Sequence, residues 1–255
     1  MSEILNRPFI VLVLSLIVLW LSVQFGAFLA GKLRPLEEDE REDLDLVVGS
    51  SLTLLALIIG FTFSMAVSRY DQRKNYEEEE ANAIGTEYVR ADLLPAADAA
   101  KVRPLLTQYL AQRLLFYTVR DQARLATIDS ETARLQNEMW DTVQNVAKTQ
   151  PTPITALAVA GMNDVLNRQG YTQAAWWNRI PVGAWCLMVV LGVSCSVLIG
   201  FSSHRKGGIL LSTILPFLVS MAFFLIADID SPRRGVIHVA PQNLISLSQS
   251  LSNTK

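Results

Sequence analysis

The residues of this 255-residue chain that could do chemistry are few, and their spacing decides most of what they can do. His204 and His238 are too far apart, and too few, for a histidine metal site or a Ser-His-Asp arrangement. Cys186 and Cys195 share one uncharged run, so they read as small buried hydrophobes and not as a disulfide framework or zinc ligands. Ser64 and Ser68 lie at the end of another apolar run, where small hydroxyl side chains let helices approach closely. Neither a phosphate-binding loop nor a dinucleotide-binding glycine pattern is present. The reading is therefore of a protein that is not an enzyme, with no cofactor and no metal site.

Two charged groups remain. Asp228 and Asp230 arrive where an apolar run ends, with Arg233 and Arg234 close behind. Negative charge at a helix C-terminus works against the macrodipole, at a cost of roughly 0.3–1 kcal/mol, so compensation is expected. Either the two arginines or a bound cation could supply it. Two carboxylates fall short of the roughly six to eight oxygens that calcium takes, which favours the ion pair. The run Glu77 to Glu80 reads by default as a solvated helix face. Glu79, however, follows Phe61 by 18 residues, five turns at 3.6 residues each, and no Pro or Gly intervenes. An unbroken helix returns the two to one face.

The elements that must position these groups follow from composition. Hydrophobic residues make up 51% and charged residues 18% of the chain, with mean hydropathy +0.29, which places part of it in lipid. Four windows of about 20 residues lack any charge, the length needed to cross roughly 30 Å of hydrocarbon as helix. They run from Pro8 to Ala30, Leu46 to Ser68, Ile180 to Ser203 and Gly207 to Ala227. The first exceeds the apolar core of a signal peptide and is kept as a span. Short links pair the spans into two hairpins. Between them, Val102, Leu105, Leu106, Tyr109, Leu110, Leu114 and Tyr117 recur at helical spacing, as do Leu135, Met139, Val143 and Val146 after an expected N-cap at Asp129 or Ser130. Pro95, Pro104, Pro151 and Pro153 punctuate these segments.

The expected fold is an all-α integral membrane protein. Residues 1–68 form the first transmembrane hairpin, 69–179 a helical cytoplasmic insert, 180–227 the second hairpin and 228–255 a cytoplasmic C-terminal tail. Orientation follows from arginine and lysine near the span ends. Arg7, Arg69, Arg73, Lys74, Arg168, Arg179, Arg233 and Arg234 lie on one side, against Lys32, Arg34, Arg41, Arg205 and Lys206 on the other, eight against five. That bias puts both termini and the insert in the cytoplasm. Lysine plus arginine at 22 against aspartate plus glutamate at 24 leaves a net charge of −2, with no basic field for nucleic acid.

The second span and its continuation, LALIIGFTFSMAVSRYDQRKNY, resembles the pore-lining helix of the bestrophin anion channels. Gly60 and Phe61 form the Gly-Phe step, and Val67, Ser68, Arg69 and Tyr70 the aliphatic-Ser-Arg-aromatic exit. IADIDSPRRG, with Asp228, Ile229, Asp230, Ser231, Pro232 and Gly235, is similar to the acidic-apolar-acidic-Asn-Pro-x-Gly stretch of prokaryotic bestrophins, with Ser for Asn and one extra residue before the glycine. The strings RYDQRKNYEEEEANAIGTEYVRADLLP and LIADIDSPRRGVI are similar to a bacterial bestrophin-like family. This resemblance implies a homo-oligomer, a pentamer around a central pore, with the lipid bilayer and inorganic ions as its other partners. It also implies an apolar pore constriction at Leu57, Phe61 and Met65, on a stripe shared with Thr53, where bestrophins carry an aliphatic residue. Calcium bound near the acidic stretch in animal bestrophins is the counterpart of the cation alternative above. Helix periodicity then adds a pore-facing acidic ring at Glu79. A non-conducting scaffold whose insert binds a partner is the competing class.

Overall fold

A computed structural model of the chain describes residues 5–32, 37–203 and 209–253. Arg34, His204, Arg205, Lys206 and Gly207, which entered the sequence reading, lie outside the described residues. Among the described residues every regular element is helical: α1 (Pro8–Lys32), α2 (Glu38–Arg90), a 3-10 turn (Ala91–Leu93), α3 (Ala96–Thr118), α4 (Gln122–Thr149), α5 (Pro153–Trp177), α6 (Val182–Ser203), α7 (Ile209–Asp230) and α8 (Gln242–Asn253). Among the described residues four helical stretches, falling on α1, α2, α6 and α7, are long and apolar enough to cross a membrane. The chain divides into two compact units, Met1–Tyr70 with Arg179–His238 and Asp71–Asn178 with Val239–Lys255.

In the first unit α1 packs against α6 and α7. The crossing of α1 and α6 depends on two glycines. A Cβ built on Gly26 would stand 2.0 Å from the carbonyl oxygen of Val197, and one on Gly200 would stand 1.9 Å from that of Val23. Within lipid, apolar burial supplies little net drive for helix association, so close backbone approach and van der Waals packing take its place. Leu19, Met188, Phe223 and Ile226 fill the core beside this crossing.

The second unit is a bundle whose apolar stripes follow the expected periods. Val102, Leu106, Tyr109, Leu110 and Tyr117 are buried on α3, and Leu135, Met139, Val143 and Val146 on α4. The start of α4 corrects the sequence reading. Asp121 is the N-cap, its side chain accepting from the Arg124 amide at 2.9 Å, and Asp129 and Ser130 lie inside the helix. Leu125, Ile128 and Thr132 extend the buried stripe towards this cap. Pro104 likewise does not punctuate: it sits within α3, whereas Pro95 precedes α3 and Pro151 and Pro153 separate α4 from α5. Thr152 caps α5 in a reciprocal box with Thr155, and Pro153 occupies the first turn, where its missing N–H costs nothing. The segment read as a tail contains α8, which belongs to this unit and packs against α3.

Candidate pore stripe and polar clusters

Helix α2 is continuous from Glu38 to Arg90, so no break separates Phe61 from Glu79 along the chain. In the first unit its buried side is formed by Leu55, Thr62 and Ala66, with Leu52, Ile58 and Ile59 partly buried against the same core. Its other side carries Thr53, Leu57, Phe61 and Met65, all exposed in the single chain, Phe61 by 62%. Thr53 satisfies its hydroxyl by donating to the Gly49 carbonyl one turn back, at 2.9 Å, and so presents little polarity to its surroundings. The apolar stripe therefore stays uncovered by its own chain, whichever of lipid, solvent or a second copy meets it.

In the cluster after α7 both carboxylates meet backbone amides. Asp228 is 1% exposed, and its two carboxylate oxygens accept the backbone amides of Val236 at 2.7 Å and Ile237 at 2.8 Å. The carboxylate thus closes the loop that follows the helix. Gly235 is required by the same turn, because a Cβ there would lie 2.3 Å from the Asp228 carbonyl oxygen. Asp230 accepts from the Ile180 amide at 3.3 Å and lies 3.9 Å from the guanidinium of Arg179. Arg233 is half-buried and Arg234 exposed. Amides and Arg179, the latter not placed in the cluster by sequence spacing, thus join in offsetting the macrodipole penalty.

In the second unit the four glutamates of the acidic run divide. Glu78 is exposed and Glu79 partly exposed, its carboxylate ion-paired with Arg168 of α5. Glu77 and Glu80 are buried, contrary to the solvated-face reading. Glu77 accepts the Leu244 amide at 2.9 Å and the Asn243 side-chain amide at 2.7 Å, so it caps the start of α8. Glu80 pairs with the fully buried Arg113, and Thr172 donates to it at 3.1 Å and Tyr117 at 3.4 Å. Burial raises the Tyr117 phenol far above its usual range, with the Glu80 charge adding to the effect. Arg113 also lies over the Phe116 ring at 4.4 Å. Arg73, again buried, donates to the carbonyls of Ala175 at 3.3 Å and Asn178 at 3.4 Å, at the C-terminus of α5, where a cation suits the helix dipole. Among the described residues no group of three or more His, Cys, Asp or Glu side chains could hold a metal ion.

Arg73, Glu77, Glu80, Ile84 and Glu87 form the buried stripe of this half of α2, at alternating steps of four and three, and Ala91 in the turn that follows continues it. Sequence reasoning missed it because four of the six positions are charged, which hides the period from any search for apolar residues. On α3 a signal was available: Arg113 falls on the stripe of Tyr109, Leu110, Phe116 and Tyr117, an address at which a charge needs a partner.

Described residues whose regular elements are all helical, with four helices of membrane length and a polar loop built on Asp228 and Gly235, define a class of integral membrane protein. The description Bestrophin-like domain matches residues 19–244, and the chain belongs to the bestrophin-like family. No curated protein matches. Among solved structures, one variant of a bacterial bestrophin homologue from Klebsiella pneumoniae is similar at 13% identity over 95% of this chain and 98% of its own, with a TM-score of 0.65. A second variant gives 12% identity over 93% and 97%, with a TM-score of 0.66. The likeness at this identity is one of fold, and it spans nearly the whole of both chains.

Proposed function

We propose that this protein is an ion channel: a homo-oligomer, a pentamer by analogy with the bestrophins it resembles, with α2 lining a central pore. In this reading the spans form two hairpins in the bacterial inner membrane, the second unit is cytoplasmic, and both termini lie on that side. The observation that carries it is the uncovered stripe of Leu57, Phe61 and Met65 on a helix whose opposite side is packed. Around a symmetry axis such a stripe makes an apolar ring that narrows the path and gates it by dewetting. Glu79 forms a ring below Phe61. Its pairing with Arg168 compensates the charge that would otherwise favour cations, so its selectivity is expected to be weak.

Asp228, Asp230, Arg233 and Arg234 are assigned a structural part at the membrane boundary, holding the loop after α7. The purified protein in liposomes tests the reading directly. Phe61→Ala is expected to raise basal ion flux over wild type, and Glu79→Gln to move the reversal potential in a salt gradient only slightly. Absence of flux from both wild type and Phe61→Ala, with folded oligomer in the membrane, would support the competing class, a non-conducting scaffold whose cytoplasmic unit binds a partner.

A further inference from the structure

Of the charged residues on the buried stripe of α2, three are served. Arg73 meets the end of α5, Glu77 the start of α8, and Glu80 the Arg113 network. The fourth is not. Glu87 is 0% exposed, and neither of its carboxylate oxygens has a hydrogen-bond partner. It lies 19 residues beyond Ser68, where the uncharged part of α2 ends, and so outside the membrane-spanning segment.

The carboxylate is pressed against the backbone of α5. A Cβ on Gly161 would stand 1.9 Å from Glu87 Oε2 and 2.6 Å from Arg90 Nη1, so both side chains occupy the space that a glycine leaves open. Asp164, one turn further along α5, faces the same region. Beside it lies a cleft lined by Glu79, Asn82, Thr86, Arg90, Asp164 and Arg168, with Gly161 in its wall. The charge balance there is unequal: with Glu87 ionised, Arg90 and Arg168 stand against Glu79, Glu87 and Asp164. Of the neighbouring cations, Arg103 and Arg168 are already paired. Asp92, in the turn after α2, is paired with Arg103 of α3, Arg168 is paired with Glu79, and α8 contains no ionisable side chain.

We infer that Glu87, Arg90 and Asp164 form a proton-operated clamp between α2 and α5, closed when Glu87 carries a proton and loosened when it loses one. A neutral carboxyl fits the unpartnered, buried position, because desolvation penalises only the charged form. An ionised one requires either that Arg90 close on it across Gly161 or that water enter from the cleft, and both part the helices. Burial, opposed by Arg90 and reinforced by Asp164, pushes the Glu87 carboxyl up from 4.5 to about 8, so the change falls near physiological pH. The sign follows from linkage: between those two values the folded protein holds a proton that the unfolded chain has released. The contribution of Glu87 to stability is therefore present at low pH and is lost as pH rises to about 8. The clamp does not depend on the pore reading.

The test is a pH titration of the full-length protein in detergent, followed by infrared absorption in the carbonyl stretch of a protonated carboxyl, with thermal midpoints measured across the same range. Wild type is expected to lose one such band with a midpoint near pH 8, together with a fall in thermal midpoint. Glu87→Gln, which imitates the protonated acid, should lack the band and show a flatter profile. Asp164→Asn should keep the band and move its midpoint to lower pH. A wild-type protein with no band at pH 6, or a Glu87→Gln variant whose band and thermal profile match wild type, overturns the inference. Should Glu87→Gln fail to fold, the direction of the Asp164→Asn shift decides alone.

Discussion

One helix passes through two different kinds of interior. In the first unit the buried side of α2 presents Leu55, Thr62 and Ala66, and the neighbouring contact of α1 with α6 is made by glycines against carbonyl oxygens. In the second unit the buried side of the same helix presents Arg73, Glu77, Glu80 and Glu87. The difference follows from the solvent each unit is built for. A span facing lipid can bury no charge cheaply and gains little from hiding apolar surface, so shape does the packing. A bundle outside lipid draws on its apolar stripes for stability, and its buried charges are tolerated where partners meet them, as they do Arg73, Glu77 and Glu80 but not Glu87.

The largest effect is expected where that second mode is broken. Arg113→Ala strips the counter-charge from Glu80 and the cation from the Phe116 face, and leaves a carboxylate in a fully buried site. Loss of one member of a buried pair costs about 3–5 kcal/mol, so the second unit should unfold well before the first, or the variant should fail to accumulate. Thermal unfolding followed by near-ultraviolet circular dichroism, which reports the Tyr117 and Trp176 surroundings, reads this out. The double variant Arg113→Met, Glu80→Met should lose less than the sum of the two single changes; simple additivity would show that the contact is not energetically coupled.

Shape-based packing is broken next. Gly200→Val in α6 forces a side chain into the space now held by the backbone of Val23, 1.9 Å from where its Cβ would stand. Overpacking of this kind costs roughly 1–3 kcal/mol, and here backbone and not a flexible side chain must yield. Gly183→Val, at the other end of α6, meets nothing within 4 Å and serves as the control. Equal detergent stability of the two variants would contradict the glycine-mediated contact.

How much of this was legible in the sequence depends on the same contrast. The spans, the helical class and the stripes of α3 and α4 were readable, because each rests on apolar residues at the period of a helix. The loop after α7 was readable only as a cluster: Asp228 and Gly235 stood out, but no spacing rule connects a carboxylate with amides eight and nine residues later. The charged stripe of α2 was invisible, since its inward residues are of the type that composition assigns to solvent. The start of α4 was misplaced because Asp129 and Ser130 offered capping chemistry as good as that of Asp121. Only the continuation of the buried stripe through Leu125 and Ile128 separates them.

That last point gives a smaller, local prediction. Asp121→Ala removes the acceptor for the Arg124 amide and should cost about 1 kcal/mol, read as a modest fall in the thermal midpoint of the second unit. Asp129→Ala should leave it unchanged. If Asp129→Ala is the more damaging of the two, the helix begins where the sequence alone suggested.

The smallest effect is expected at a site that looks, as a set of contacts, stronger than any of these. Arg134 on α4 donates from Nε to Glu131 at 2.9 Å and also pairs with Glu138, so one guanidinium holds two carboxylates. The Glu131 carboxyl is lowered by its hydrogen bond with Arg134. Yet all three side chains are open to water, Arg134 by 48%, and an exposed pair exchanges hydration for contact at almost no net gain while it restricts two long side chains. Arg134→Ala should therefore leave the thermal midpoint within experimental error at moderate salt, where Arg113→Ala is ruinous. The two arginines carry the same charge; what separates them is that Arg113 lies on an apolar stripe and cannot return to water when its partner is lost. A large loss from Arg134→Ala that vanishes in high salt would mean that the three charges act as a network, and would move the boundary between the two modes of packing out to the surface of the bundle.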